Sequence, residues 1–171
     1  MPHLKRAALA AATLVLSSFP ALADNCDPVV DSMTVTAKTP YKSTIIRPNS
    51  DGTSIIGHVI QMPDAKYMQQ PDGNWTYVTI DSHDLIEALD QNLKTAHMTC
   101  HLDGTDWVND HAASIYLVHT ENAGLVSDNK IWIAASKLPL KAEIKIGNDR
   151  LVTTYDYDNV QAPVGAVEAK K

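Results

Sequence analysis

Two imidazoles and a thiol fall within five residues at His97-Met98-Thr99-Cys100-His101, the densest set of metal-ligating side chains among the six histidines and two cysteines that follow residue 23. Imidazole and thiolate suit zinc and copper, so this segment is one candidate for a small metal site. A c-type haem attachment is excluded, because it needs a second cysteine where His97 stands. A thiol held in a disulfide ligates nothing, and if Cys100 is so held only His97 and His101 remain. No metal is therefore assigned.

Acyl-transfer chemistry fares no better. Ser82-His83-Asp84 has the residue types of a catalytic triad, but such partners converge from separate elements, and no Gly-x-Ser-x-Gly elbow occurs in the chain. The three read as the start of a helix. Asp156 and Asp158 are paired carboxylates at i and i+2, yet their alternation with Tyr155 and Tyr157 marks a solvated strand face. No catalytic residue and no cofactor is assigned, and the chain is read as a non-enzyme.

What remains is apolar binding. Met62, Tyr67, Met68, Trp75, Tyr77, Tyr116 and Trp132 fall on expected strands flanking a helix that carries Ile86, Leu89 and Leu93. Flexible methionine beside aromatic rings suits a pocket for irregular apolar molecules. The same residues would also make an ordinary packed core. The difference is whether space remains between helix and sheet.

The elements that must position these side chains are mostly strands. Leu138, Leu140, Ala142, Ile144 and Ile146 alternate with Pro139, Lys141, Glu143 and Lys145 at a period of two, the pattern of a strand with one dry face. Similar reasoning places strands at residues 41–47, 53–62, 65–70, 74–80, 98–102, 107–120 (bent near Asn109-Asp110), 130–136, 138–146 and 151–161. Asn49-Ser50-Asp51-Gly52, Pro71-Asp72-Gly73-Asn74, the segment 124–129 and Gly147-Asn148-Asp149 supply turn chemistry. A short helix is expected from Pro28 towards Lys38 with Asp27 as its cap. A better one runs from Ser82 to Ala96, with Leu85, Ile86, Leu89 and Leu93 on one stripe. The fold class is α+β: a single strongly curved antiparallel sheet of about eight or nine strands, an unclosed half-barrel, with one or two helices on its concave face.

The ends bound the compartment. Lys5 and Arg6, the apolar run Ala7–Leu16 and the small-residue site Ala21-Leu22-Ala23 read as a signal peptide cleaved after Ala23. The run is too short to span a membrane, and no cysteine directly follows the cleavage site to carry a lipid anchor. Cleavage leaves 148 of 171 residues, enough for one domain over 24–163 and a loose tail at 164–171. It also moves the net charge from -6 to about -8, which repels phosphate backbones and argues against nucleic acid as a partner. In an oxidising compartment Cys26 and Cys100 form one structural disulfide, closing a loop whose chain-entropy stabilisation is roughly 4.5 kcal/mol. The expected state is a soluble periplasmic monomer.

With this layout, Trp132…Leu138-Pro139-Leu140-Lys141-Ala142-Glu143 followed by Tyr155-Asp156-Tyr157-Asp158-Asn159-Val160…Ala162-Pro163 resembles the carboxy-terminal half of the periplasmic lipoprotein carrier superfamily, which takes in LolA-type carriers, the LppX type and the amino-terminal domain of RseB-type regulators. Asp64…Tyr67-Met68 and Gly73-Asn74-Trp75 are similar to its middle hairpin. The resemblance implies an unclosed barrel with helices in its mouth. It would hold a lipid, an acyl chain or a partner's lipidated terminus, or else grip another envelope protein as regulator-type relatives do.

Overall fold

A computed structural model describes residues 25–169, so the expected signal segment lies outside the described residues. Two helices, α1 (Asp27–Thr36) and α2 (Ser82–Thr95), accompany ten strands: β1 (Tyr41–Pro48), β2 (Ser54–Gln61), β3 (Ala65–Gln69), β4 (Trp75–Thr79), β5 (His97–Val108), β6 (His111–Asn122), β7 (Leu125–Ala134), β8 (Pro139–Ile146), β9 (Asp149–Asp156) and β10 (Val167–Glu168). All belong to one sheet in the order β10-β4-β3-β2-β1-β9-β8-β7-β6-β5. Its ladders are antiparallel apart from the short parallel pairing of β10 with β4. The sheet does not close on itself, and β5 and β10 remain its edges. This is the curved, unclosed half-barrel with helices that the strand pattern leads one to expect, with one strand more.

The topology explains where α2 must lie. β4 sits beside one edge and β5 forms the other, so the connection between them has to cross the whole sheet. A 14-residue helix, about 21 Å long, makes most of that crossing. Asp81 caps it, its carboxylate accepting from the His83 N–H at 2.8 Å.

Helix α1 forms despite its β-branched residues because tertiary contacts outweigh propensity. Val29 is completely buried against Cys100, Val118 and Ile133, with Met33, Met98, Tyr116 and Ile131 around it. The Thr34 and Thr36 hydroxyls donate to the carbonyls of Val30 and Ser32 one turn back. Cys26, not Asp27, occupies the cap position, and a Cys26–Cys100 disulfide with Cα atoms 5.1 Å apart fastens the start of α1 to β5.

Register assigns each side chain to a face. Tyr41, Gln61, Lys66, Tyr155, Ala142, Ile131, Val118 and Cys100 share the face that carries the helices, through the pairs Tyr41↔Gln61, Gln61↔Lys66, Ser43↔Tyr155, Ala142↔Thr153, Ile131↔Ala142 and Cys100↔Val118. The opposite face has its own small cluster of Ala113, Ile115, Trp132 and Leu140.

Three local features depart from the sequence reading. The single bent strand expected over 107–120 is split by a two-residue hairpin at Asn109 and Asp110, with φ of 48° and 63°. Both positions are left-handed, as such tight turns require, and Asn and Asp tolerate that conformation. A second such turn at Ala123-Gly124 lets β7 begin at Leu125 inside the segment expected to be a turn. The expected loose tail is partly tied down, since Val167 and Glu168 pair with Thr76 and Tyr77 and the Ala169 N–H donates to the Tyr77 carbonyl at 2.8 Å.

Candidate functional site: a cavity under the helices

Between the two helices and the sheet face they cover lies a cavity of about 460 Å³. Helix α1 contributes Val29 and Met33, α2 contributes Leu85 and Leu89, and the sheet floor contributes Ile131, Ala142 and Ile144. The size is within the range of about 300–1,000 Å³ typical of small-molecule sites. It is about three times the ~150 Å³ that accepts a benzene ring, which leaves room for an alkyl chain of on the order of a dozen carbons.

The wall is not uniformly apolar. Lys66 on β3, Gln61 on β2, Tyr41 on β1 and Tyr155 on β9 line the end nearest the β4 edge, with Ser32 and Thr36 from α1 beside them. The end formed by β7 and β8 carries Ile131, Ala142 and Ile144, with Asn129 as its polar exception. Asn129 donates from Nδ2 to the Ser127 hydroxyl at 3.2 Å, and its Oδ1 is buried without a partner. Turning the amide over only exchanges which end is unpaired, at a cost of about 1–3 kcal/mol either way.

At the α1 end, Tyr41, Tyr155 and Tyr157 form a ring cluster, with Tyr41 and Tyr155 centroids 5.4 Å apart and edge-on. Burial pushes the Tyr155 hydroxyl up to about 12 and raises Tyr41 and Tyr157 as well. All three are neutral hydrogen-bond donors near neutral pH, and the Tyr157 hydroxyl donates a hydrogen bond to the Pro139 carbonyl at 2.8 Å. A second hollow of about 490 Å³ lies across the opposite face of β5–β9. Ion pairs thread it, His119–Asp128 at 2.7 Å and Arg150–Glu143 at 2.6 Å among them, and it reads as a solvated charged groove.

The structure brings together few of the sequence-derived pocket residues. Leu89 lines the cavity; Ile86 and Leu93 line a cleft between α2 and α1 with Val30 and Thr34. Tyr116 packs beneath α1. Met68 shares the helix face by its pairing with Val59 but is not in the cavity wall, and Met62 sits at the β2–β3 turn, its N–H bonded to the Ala65 carbonyl. Tyr67 and Tyr77 stand opposite one another on the other face with ring centroids 5.6 Å apart. Trp75 is on that face too, in a cleft that also includes Asn109 from the β5–β6 turn. Trp132 is buried there, its indole N–H donating to Asp106 at 3.0 Å and the ammonium of Lys141 4.3 Å above its ring. A period of two groups the side chains of one strand but does not say which group the helices will cover. Val29, Met33, Ile131, Ala142, Ile144 and Tyr155 were missed for that reason.

His97 and His101 do not meet. They lie on the same face of β5 but four residues apart, a separation of about 13 Å along a strand. Cys100 between them is in the disulfide, and no group of three or more His, Cys, Asp or Glu able to hold a metal occurs among the described residues.

An open sheet bowed around two helices, with a part-filled space between the layers, defines an unclosed half-barrel fold. MucB shares it at a TM-score of 0.51 and 14% identity over 82% of this chain, which spans 63% of MucB's own length. LppX of Mycobacterium tuberculosis, a lipoprotein, matches at a TM-score of 0.49 and 14% identity, covering 80% of this chain and 100% of LppX. LprF of Mycobacterium bovis matches at 0.42 and 10% identity, covering 83% and 96%. No family model and no curated protein matches the sequence.

Proposed function

We propose that this chain is an exported, non-enzymatic binding protein of the bacterial envelope that holds a lipid or acyl chain in the cavity beneath α1 and α2. The observation that carries the reading is the 460 Å³ space whose floor and lid are largely aliphatic in a fold of this type. The amino-terminal signal pattern and the disulfide support a periplasmic location with residues 1–23 removed, and we propose that the protein acts as a monomer. The affinity comes from apolar burial, about 0.8 kcal/mol per methylene removed from water. The test is to purify the protein natively, extract it and identify co-purifying lipid by mass spectrometry, with displacement of a fluorescent apolar probe as the second measurement. Finding no extractable lipid and no probe binding overturns the reading.

A second reading is favoured by one feature. Strand β5 is a 12-residue edge whose outer side has no partner strand among the described residues, and Trp107 near its end is 72% exposed. Such an edge can accept a partner's extended segment by strand addition. MucB is known in complex with MucA(peri). Pull-down of an envelope partner that is lost when Trp107 is replaced, with the cavity left unchanged, would favour this reading.

A further inference from the structure

From the distribution of charge around the cavity, and resting on the proposed apolar-ligand reading, we propose that the ligand is a chain with an anionic head group, its head held at Lys66 and Gln61 and its tail running towards Ile131 and Ile144. The chain as a whole is acidic, with 20 Asp plus Glu against 14 Lys plus Arg. Yet no Asp or Glu among the described residues lines this cavity, and the one charged side chain in its wall is Lys66. No ion pair joins the Lys66 ammonium to a carboxylate among the described residues, which is also true of Lys38 and Lys145 outside the cavity wall, whereas Lys42, Lys94, Lys130, Lys137 and Lys141 each have one. Nearby carboxylates are otherwise placed. Asp81 is occupied with the α2 cap, and neither Asp64 nor Asp84 is in the wall.

The neighbours of Lys66 suit a head group. Lys66 stands directly opposite Gln61, and Gln61 opposite Tyr41, so an ammonium, an amide and a phenol that stays protonated share one end of the cavity. The aliphatic end lies five strand steps away across β2, β1, β9, β8 and β7, an arc of roughly 24 Å at the usual strand spacing. An elongated space with a cation at one end and aliphatic side chains at the other selects a single-chain amphiphile by charge as well as by length. The recognised chemistry is a carboxylate or phosphate on an alkyl chain, so a free fatty acid and a lysophospholipid are both admitted by it.

The experiment uses the full-length protein loaded with N-phenyl-1-naphthylamine, a neutral apolar probe, and measures its displacement by dodecanoate, methyl dodecanoate, dodecyl phosphate and dodecylammonium. Expected are an advantage of about tenfold for the two anions over the ester, close to 1.4 kcal/mol, and the weakest displacement by the ammonium. The dodecanoate-to-dodecyl phosphate ratio separates a fatty-acid ligand from a phospholipid-derived one. Lys66→Met should abolish the advantage of dodecanoate over the ester, read as the ratio of the two displacements within the same variant, and Lys66→Glu should reverse the preference towards dodecylammonium. Equal displacement by anion and ester in the unmodified protein, or a preference that survives Lys66→Met, overturns the head-group assignment and leaves the cavity reading standing. If neither the probe nor any of the four compounds binds, the cavity reading itself fails and this inference goes with it.

Discussion

Removing the disulfide should loosen the binding site before it unfolds the sheet. The bond joins Cys26 at the cap of α1 to Cys100 on β5, across a sequence separation of 74. For a loop of that size the chain-entropy relation gives about 4.5 kcal/mol lost from the stability of the folded state when both cysteines become serine. In a domain of this length each kcal/mol moves the melting temperature by roughly 2–4 °C, so a fall of about 10–18 °C is expected. Besides the bond, α1 is held by Val29 in its first turn, by the Lys137–Asp31 pair at 2.8 Å and by its continuation into β1. The ion pair is half exposed and contributes less than about 1 kcal/mol. The helix therefore frays from its amino terminus, and Val29, Ser32 and Met33 leave the cavity wall while β1–β9 keep their ladders. The assay pairs circular dichroism melts with probe displacement at 25 °C for Cys26→Ser/Cys100→Ser and for the reduced parent protein. A melting temperature within 3 °C of the parent, or ligand affinity unchanged where α1 is shown by amide exchange to be open, would refute the reasoning that α1 is a tethered lid.

Three further outcomes follow from the geometry. Ala142→Phe puts a ring on the cavity floor, where Ala142 is 5% exposed; displacement assays should show at least a tenfold loss of acyl-chain affinity, with a stability change of about 1–3 kcal/mol in chemical denaturation. Trp132→Phe keeps a ring in the opposite cluster but loses the bond to Asp106 and weakens the contact with Lys141; about 1–2 kcal/mol of stability should go, with ligand affinity unchanged. The His119 ring bonds Asp128 and Glu121, which holds its pKa above the ordinary 6.5. That interaction is complete below about pH 6.5 and is lost as pH rises through the higher folded-state value; NMR titration should find a midpoint above 6.5 that falls in Asp128→Asn.

Strand periodicity carried most of the fold. The alternation from Ala142 to Ile146 fixes most of β8, although a bulge against Trp132 and Ile133 turns Leu140 to the face away from the helices and breaks the single dry face expected from Leu138 onward; Gly and Pro punctuation fixes β1–β4, and the stripe through Leu85, Leu89 and Leu93 fixes α2. What the sequence hid were the places where two residues do the work of a loop. Asn109-Asp110 and Ala123-Gly124 are tight enough that continuous strand patterns run through them, so a hairpin read as one bent strand. The site was less legible than the fold. Aromatic residues occur on both faces, and Trp75, Trp132, Tyr67 and Tyr77 are on the face away from the helices, where Tyr67 and Tyr77 pair, the Lys141 ammonium sits over Trp132 and Trp75 shares a cleft with the β5–β6 turn. The cavity wall is made of ordinary aliphatics such as Ile131 and Ile144, which carry no mark of their role. Only the crossing of α2 from one sheet edge to the other decides which face is covered, and that depends on strand order.

The size of the cavity constrains what it is for. A sealed, dry void of 460 Å³ would cost on the order of 11 kcal/mol at about 24 cal/mol per Å³, comparable with the entire stability of a typical domain. The core has little to set against that, since most of the buried hydrophobic residues among those described fall in two small clusters on opposite faces, and the largest fully enclosed side chains are Val29 and Val118. The space is instead open to solvent along one side, so water enters whatever part of it no ligand fills. Water can be held at the end that offers Ser32, Thr36, Gln61, Tyr155 and Lys66, each able to hydrogen-bond. The end lined by Ile131, Ala142 and Ile144 offers water almost nothing, and Asn129 alone cannot satisfy a cluster of it. An occupant with one wet end and one dry end resolves both demands at once, and its binding free energy adds directly to the stability of the folded chain.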